Sequence, residues 1–231
     1  MKKHNYLVFG LLILLAFLIV SCDNEPQLPD VKDEASLRAA ISKGTSPIVL
    51  SNDIVVSSPI VVDGNKKITL DMNGKTISNT ADLWNDDVNA WSLVSVRDSA
   101  SLTVTGNGTF KAKENDCYAL DIQDKTAELT IENGTFVGNI HAVYVESGSL
   151  IVNGGTYSVQ QKYSDASKAD GFVLNCYDKN REEGIAKIVV YGGTFIKFNP
   201  ADCWAEGEHT NFLADGYNTV QNEDEYTVVR E

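Results

Sequence analysis

Gly106-Asn107-Gly108-Thr109-Phe110 is one of four copies of a short theme in this 231-residue chain, and each copy follows a brief apolar run. The other copies are Glu132-Asn133-Gly134-Thr135-Phe136, Asn153-Gly154-Gly155-Thr156-Tyr157 and Tyr191-Gly192-Gly193-Thr194-Phe195. Their aromatic residues lie 26, 21 and 38 positions apart, so each interval fits one structural repeat and the longest carries an insertion. Self-similarity of this kind indicates stacked repeats that share one apolar core.

Two short strands are predicted in each repeat, one before the Gly-Thr-aromatic corner and one between successive corners. Aligning the second set of strands predicts two inward-facing stacks of apolar side chains. The stacks are Val94, Leu120, Val143 and Leu174, and Val96, Ile122, Val145 and Cys176. Cys176 is therefore expected to be a small buried hydrophobic residue.

A short amphipathic helix is predicted over residues 33–41, ahead of the repeats. Leu37, Ala40 and Ile41 lie close to one face, and Gly44 is expected to end the helix. After it the apolar pattern changes to alternation, which predicts brief strands at residues 48–50, 54–56, 60–62 and 68–74.

The helix, the run from Ile68 to Ile77 and the repeated corners together resemble the right-handed, single-stranded parallel β-helix proteins of the pectate-lyase-like class. This resemblance spans residues 33–229. It implies an all-β solenoid domain over residues 33–231, with the short N-terminal helix capping one end. One such fold hosts many activities, so the resemblance indicates architecture rather than function.

The N-terminus has the features of an exported lipoprotein. Lys2 and Lys3 precede an apolar segment at residues 6–20, which is short for a membrane span and suits a signal peptide. The residues Ile19-Val20-Ser21-Cys22 resemble the lipobox of bacterial lipoproteins, which implies a signal peptide at residues 1–21 and lipid (palmitate) on Cys22. The acidic tether that follows, within residues 22–32, resembles that of Bacteroides surface lipoproteins. We therefore expect a protein of the cell envelope, anchored by lipid to the outer membrane and displayed at its surface; an ordinary secretory signal or a membrane anchor is the alternative.

Charge excludes one large class of partners. Removing residues 1–21 takes away two lysines and no acid, so the formal charge changes from −13 to −15. So acidic a surface argues against nucleic-acid binding. The exported part keeps Cys117, Cys176 and Cys203, an odd number that excludes a full disulfide framework and leaves one bridge open. No spacing of these residues predicts a zinc site.

Long connections are predicted at one corner of the repeats, and insertions on one face of a solenoid often form its binding surface. They cover residues 79–91, 111–117, 160–170 and 199–209, whereas the repeat after Phe136 turns quickly through Val137-Gly138-Asn139-Ile140. We therefore predict a groove over this short turn, walled by the longer loops. The candidate ligand-binding residues are the aromatic Trp84, Trp91, Tyr163 and Trp204, and the polar Asp116, Asn139, Asp170, Asp202, Glu206 and His209.

Flat aromatic faces can stack on sugar rings while polar neighbours fix their orientation, so this set favours carbohydrate or another extended ligand. The alternative is that the tryptophans fold back to cover the flank of the solenoid. His141, which opens a strand, is expected to be a core or corner residue rather than a base.

A second candidate surface is the outward side of the strands. Ser95, Asp121, Tyr144 and Asn175 are predicted to form one row, and Arg97, Gln123, Glu146 and Tyr177 the next. In lyases that this chain distantly resembles, carboxylates hold calcium and a basic residue removes a proton. By that resemblance, Asp121 and Glu146 would bind calcium, and Arg97 would remove the proton. A solvated, charge-balanced sheet is the alternative.

Three functional classes remain open from the sequence. The favoured one is a non-catalytic, lipid-anchored protein that binds carbohydrate or another extended ligand in the loop-lined groove, without a resident metal or cofactor. The second is a polysaccharide lyase or hydrolase, with calcium as its cofactor. The third is a structural adhesin or spacer.

Overall fold

The computed structural model describes residues 29–161 and 173–231, apart from residues 206 and 208. The described chain is dominated by β-strands in two sheets, preceded by one short N-terminal helix. The predicted signal peptide, Cys22 and most of the tether lie outside the described residues, as do Tyr163, Asp170 and Glu206.

Helix α1 (Glu34–Ser42) begins where the sequence predicts it. The carboxylate of Asp33 accepts a hydrogen bond from the Ser36 amide at 2.8 Å, and the Ser36 hydroxyl accepts one from the Asp33 amide at 3.1 Å. This reciprocal cap satisfies two amides that the first helical turn leaves unpaired. Leu37, Ala40 and Ile41 are buried, which confirms the predicted apolar face.

A nine-stranded sheet contains both predicted sets of strands and is parallel throughout. Its strands are β1 (Ile48–Val49), β3 (Ile60–Val62), β4 (Lys67–Asp71), β6 (Ser92–Val96), β7 (Ser101–Thr105), β9 (Tyr118–Ile131), β11 (Val143–Val152), β13 (Leu174–Cys176) and β14 (Ala186–Val190). A five-residue helix, α2 (Asp178–Glu182), connects the last two strands.

The eight-stranded sheet carries the repeated corners. Its strands are β2 (Ile54–Val56), β5 (Thr76–Asn79), β8 (Thr109–Lys111), β10 (Thr135–Gly138), β12 (Thr156–Val159), β15 (Thr194–Ile196), β16 (Tyr217–Asn222) and β17 (Glu225–Arg230). Pairing is parallel from β2 to β15, and the β16–β17 hairpin adds to β15 in antiparallel orientation. Strands of successive repeats thus lie side by side, an arrangement compatible with a β-helix-like solenoid.

The four corner aromatics form a continuous buried stack, as their shared position in the repeat predicts. Thr109, Thr135, Thr156 and Thr194 are in register, and so are the aromatic residues that follow them. Ring centroids are 5.3, 5.0 and 4.8 Å apart from Phe110 through Phe136 and Tyr157 to Phe195, with interplanar angles of 10°, 11° and 13°. Gly155 precedes one such corner with a φ of 99°, a conformation that glycine adopts without steric cost.

Both predicted apolar stacks of the nine-stranded sheet are confirmed by the strand register. Val94 pairs with Leu120, which pairs with Val143 and then Leu174, and the row from Val96 to Cys176 lies two residues further along. Cys176 is buried. Cys117, Cys176 and Cys203 are all buried and are not joined by a disulfide, so the single bridge that the sequence left open does not form among them.

Candidate functional site

The long connections all follow strands of the eight-stranded sheet, namely β5, β8, β12 and β15. The strand between them, β10, is joined to β11 by residues 139–142 alone. Gly138 makes this short turn feasible, because a Cβ there would lie 1.6 Å from the carbonyl oxygen of His141. The turn that the sequence places beneath the groove is therefore a tight one flanked by longer loops.

A cleft of about 450 Å³ opens at this turn. Its lining residues, which we call the amide cleft, are Glu114, Asn115, Asn139, Gln160 and Gln161. Asn139 organises the floor: its side-chain oxygen accepts a hydrogen bond from the Asn115 amide at 3.0 Å, and its carbonyl accepts one from the Gln161 amide at 2.9 Å. Glu114 and Asn115 are exposed. The cleft thus offers hydrogen-bond donors and acceptors held on two loops and a fixed floor.

Of the predicted aromatic residues, the three that the structure describes, Trp84, Trp91 and Trp204, do not line this cleft. Five rings instead form an aromatic cluster on the nine-stranded sheet, namely Trp84, Trp91, Tyr118, His141 and Tyr144. Trp84 stacks on Trp91 with centroids 6.2 Å apart and meets Tyr118 edge to face at 5.2 Å. Trp84 is still 37% exposed. Trp84 and Trp91 therefore pack against the flank of the sheet, while the Trp84 indole stays partly accessible.

Asp116 holds this loop in place rather than facing a ligand. Its buried carboxylate accepts hydrogen bonds from the amides of Leu83 and Trp84 at 2.9–3.0 Å, and from the side chain of Asn79 at 2.6 Å. Lys113 forms an ion pair with Asp82 at 2.6 Å. Asp116 is next to Asn115 in the chain. The hydrogen bond that Asp116 accepts from the Trp84 amide therefore joins the loop that carries Trp84 and Trp91 to the rim of the amide cleft.

His141 occupies the interior corner position that the sequence predicts. The residue is buried, and its ring lies 5.3 Å from the Tyr144 ring at an interplanar angle of 14°. Tyr118 packs against it with centroids 4.6 Å apart. These contacts give His141 a place in the aromatic cluster.

Asp121 lies in the outward row, with Ser95 and Tyr144 as its register partners. It is nevertheless completely buried. Burial raises the pKa of this carboxyl to about 6, while the side chains of Ser95, Gln123 and Ser92 and then the charge of Arg97 offset part of the effect. The expectation of a solvated sheet is therefore wrong at this position.

The second predicted outward row, Arg97, Gln123, Glu146 and Tyr177, is not in continuous register. A register irregularity between Val145 and Ser147 pairs Gln123 with Ser147, so Glu146 does not lie opposite Gln123. A bulge of this kind re-aims side chains, which an alternation count along the sequence misses. Burial raises the pKa of Glu146. Within the described ranges, no three His, Cys, Asp or Glu side chains converge on a point that could hold a metal ion.

Trp204 lies in a separate loop after β15 and is 45% exposed. His209 and Asp202 of this loop are joined by a 2.9 Å contact between Nδ1 and Oδ1. The predicted ligand-binding residues are thus divided among three places in the described chain: the amide cleft, the aromatic cluster and this C-terminal loop.

Sequence reasoning misses several residues of these sites. Glu114, Asn115, Gln160 and Gln161 lie in or beside the predicted loops, but the sequence favours aromatic residues there. The strand pattern includes Tyr118 and Tyr144, whose ring contacts depend on how the loop after β5 folds. The signal that could have found the cleft is the density of amide side chains around the short turn.

Among the residues that the structure describes, no helix is long and apolar enough to cross a membrane. Searches against protein-family models, curated proteins and solved structures return no significant match to this chain.

Proposed function

We propose that this protein is a lipid-anchored component of the cell envelope that binds carbohydrate in the amide cleft and catalyses no reaction. The observation that carries the proposal is the cleft itself, a polar recess between two loops at the shortest turn of the repeats. A cleft of this size is in the range of small-ligand sites.

The finer architecture in this proposal is a right-handed, single-stranded parallel β-helix that α1 caps at one end. Parallel pairing of successive repeats in both sheets supports it, as does the continuous aromatic stack. In such a solenoid the loops after β8 and β12 would project from neighbouring coils and rise on either side of the short turn.

The lipid anchor in the proposal rests on the sequence. Ser21 and Cys22 follow an apolar signal segment at the position where bacterial lipoproteins are cut and acylated. Palmitate on Cys22 would attach the domain to the outer membrane, with the acidic tether holding it clear of the lipid surface.

The lining of the cleft favours a neutral glycan. Asn115, Gln160 and Gln161 offer amide donors and acceptors that match sugar hydroxyl and acetamido groups. Glu114 supplies a carboxylate, and no Lys or Arg belongs to the described lining. A polyanionic chain would meet this carboxylate and a strongly acidic protein, so we expect uronate polymers to bind poorly.

The exposed face of Trp84 provides a second contact for such a ligand. Its backbone amide donates to Asp116, the neighbour of cleft residue Asn115, so the indole belongs to the adjoining loop. Stacking of a sugar ring on an exposed indole buries C–H surface without requiring a charge.

Isothermal titration against a panel of neutral, amino-containing and uronate oligosaccharides tests the proposal. We expect a neutral glycan to bind, with affinity lowered about five- to twenty-fold in Gln161→Ala, the loss expected for one or two hydrogen bonds. Glu128→Ala, an exposed substitution on β9, serves as the control and should bind as the native protein does. Silence across the panel would favour the structural adhesin or spacer.

The polysaccharide lyase or hydrolase remains the second candidate, because the carboxyl of Asp121 has a pKa of about 6, suited to proton transfer near neutral pH. Asp121 is completely buried, and the bulge moves Glu146 out of register with the neighbouring strand. The two carboxyls therefore do not form the arrangement that calcium binding would require. Products released from any glycan of the panel, and their loss in Arg97→Ala, would support this candidate instead.

A further inference from the structure

Asp121 is an anomaly in this fold. Its side chain leaves the outward face of β9, yet it is completely buried, and its Oδ1 has no hydrogen-bond partner. Ser95, its register partner on β6, is also buried; its hydroxyl is near enough to lower the pKa of the Asp121 carboxyl but forms no hydrogen bond of good geometry. Buried polar atoms without partners cost free energy and are rare in folded proteins. A polar row on the outer face of a sheet has therefore been covered.

The cover comes from the loop between β5 and β6, which has two differently attached halves. Residues 80–84 are fixed by the hydrogen bonds that Asp116 accepts from Leu83 and Trp84. Residues 85–91 form a small closed unit of their own: the amides and carbonyls of Asn85 and Ala90 exchange hydrogen bonds of 2.8 and 2.9 Å. The indole nitrogen of Trp91 donates to Asp86 within the same unit at 3.0 Å.

Gln123 joins this unit to the buried carboxylate. Its side-chain Nε2 donates to Oδ2 of Asp121 at 2.7 Å and to the carbonyl of Asn89 at 2.9 Å. One amide group has two hydrogens, so both bonds can form together. The ring of Trp91 meets that of Tyr144 edge to face, with centroids 6.3 Å apart. This amide bridge and this aromatic contact hold the unit against the sheet beside Asp121. Its last residue, Trp91, also stacks on Trp84, and its carbonyl accepts a hydrogen bond of 2.7 Å from the Tyr118 amide at the start of β9.

We propose that residues 85–91 form a lid that opens over Ser92, Ser95 and Asp121, that Gln123 is its latch, and that the lid opens more readily at neutral than at acidic pH. The lid would move as a unit because its internal hydrogen bonds do not involve the sheet, and it would pivot at Trp91, whose carbonyl stays bound to the Tyr118 amide. Its hinges would be the fixed segment at Trp84 and the start of β6.

The direction of the pH effect follows from burial. The closed lid holds Asp121 away from water, which disfavours the ionised carboxylate and raises its pKa to about 6 from an ordinary 3.8. Opening restores hydration, so the open form releases the proton more easily. The open population therefore grows as the pH rises between these two values, by about tenfold from about pH 5 to pH 7, and changes little above that.

Other ionisable groups surround the same place. Arg97 follows β6, Cys117 precedes β9, His141 precedes β11, Tyr144 lies on β11 and Asp86 lies on the lid. An imidazole titrates in the same pH range, so a pH effect alone would not identify Asp121 as its origin. The substitution Asp121→Asn separates the two groups, because it removes one titration and keeps a polar side chain of the same shape.

NMR relaxation dispersion on the full chain in detergent micelles tests the proposal, since lids of this size move on the microsecond to millisecond timescale. We expect exchange in the amides of residues 85–91 and a minor-state population about ten times larger at pH 7 than at pH 5. Asp121→Asn should remove this pH dependence, and Gln123→Met should increase the open population at both pH values. Glu128→Gln, the same kind of change on an exposed part of β9, should alter neither.

Two results would overturn the proposal. One is the absence of exchange in residues 85–91 at both pH values; the other is an unchanged pH dependence in Asp121→Asn. Should that variant fail to fold, the carboxyl carbon of Asp121 in the native protein gives an independent answer. A titration midpoint near 6 that tracks the lid exchange supports the lid, and a midpoint near 4 refutes it.

Discussion

Replacing Phe136 by alanine tests whether the stack of corner aromatics is the main stabilising element of the core. The Phe136 side chain is fully buried, and its ring lies 5.3 Å from that of Phe110 and 5.0 Å from that of Tyr157. Truncation of a buried phenylalanine costs about 3–5 kcal/mol, and each well-oriented ring pair contributes about 0.5–1.5 kcal/mol of that total. Because this substitution removes the ring that stacks on both neighbours, we expect Phe136→Ala to lower the free energy of unfolding by about 4–5 kcal/mol.

Phe110→Ala gives a matched comparison at the first position of the stack. Phe110 is equally buried, and its ring stacks on that of Phe136 alone among the four corner aromatics. We expect this variant to be destabilised by about 1 kcal/mol less than Phe136→Ala, the contribution of one further ring pair. Tyr177→Ala, at an exposed side chain, should change stability by less than about 0.5 kcal/mol.

Urea unfolding followed by circular dichroism measures these differences through the transition midpoint at constant slope. A loss below about 2 kcal/mol for Phe136→Ala, or a loss no larger than that of Phe110→Ala, would refute the reasoning. In that case the strands would be held together mainly by their backbone hydrogen bonds and aliphatic rows.

Three further predictions concern pH, the short turn and the anchor. Because burial raises the pKa of Asp121 to about 6, the contribution of this residue to stability should fall as the pH rises from about 4 to 6. Relative to the native protein, Asp121→Asn should therefore gain stability over this range, by about 3 kcal/mol at neutral pH, and equal denaturation curves for the two proteins at neutral pH would contradict the assignment. Gly138→Ala would place a Cβ 1.6 Å from the carbonyl oxygen of His141, so we expect thermal unfolding to show a free energy of unfolding about 3 kcal/mol lower. For Gly44→Ala, where the space is open and only the φ of 69° is unfavourable, we expect a decrease of about 1 kcal/mol. Cys22→Ser should abolish incorporation of labelled palmitate and release the protein from the membrane fraction, and continued labelling would exclude this cysteine as the lipid site.

Much of the architecture could be predicted from the sequence because each repeat contains the local signals for its own strands and corner. The corner residues recur with the same chemistry, so alignment by Thr109, Thr135 and Thr156 also predicts which strands lie side by side. The inward rows follow from alternation within each strand. Local signals also place the helix, since Asp33 caps it and its apolar face is continuous.

The candidate site could be predicted only in outline. The short turn after β10 and the longer loops around it are visible as differences in spacing, and a cleft is found there. The positions of Trp84 and Trp91 could not be predicted, because they depend on backbone hydrogen bonds to Asp116, more than thirty residues away in the chain. Alternation along β9 assigns Asp121 to the outer face of the sheet, but it does not show that a distant segment of the chain covers that face.

The bulge at Glu146 shows a further limit. One irregular residue shifts the pairing of Gln123 from Glu146 to Ser147, and nothing in the local sequence distinguishes this from regular alternation. A catalytic arrangement built by counting positions along neighbouring strands therefore fails at this point, whereas the apolar rows on the inner face survive.

Binding of a neutral oligosaccharide to the native protein and to the double variant Glu114→Ala, Gln161→Ala, measured by isothermal titration, tests the central claim most directly. The two residues come from the two different loops that line the amide cleft. We predict saturable binding to the native protein and to the Glu128→Ala control, with affinity lowered at least about tenfold in the double variant. Equal binding by all three proteins would contradict the account, because the ligand would then be held elsewhere on the molecule.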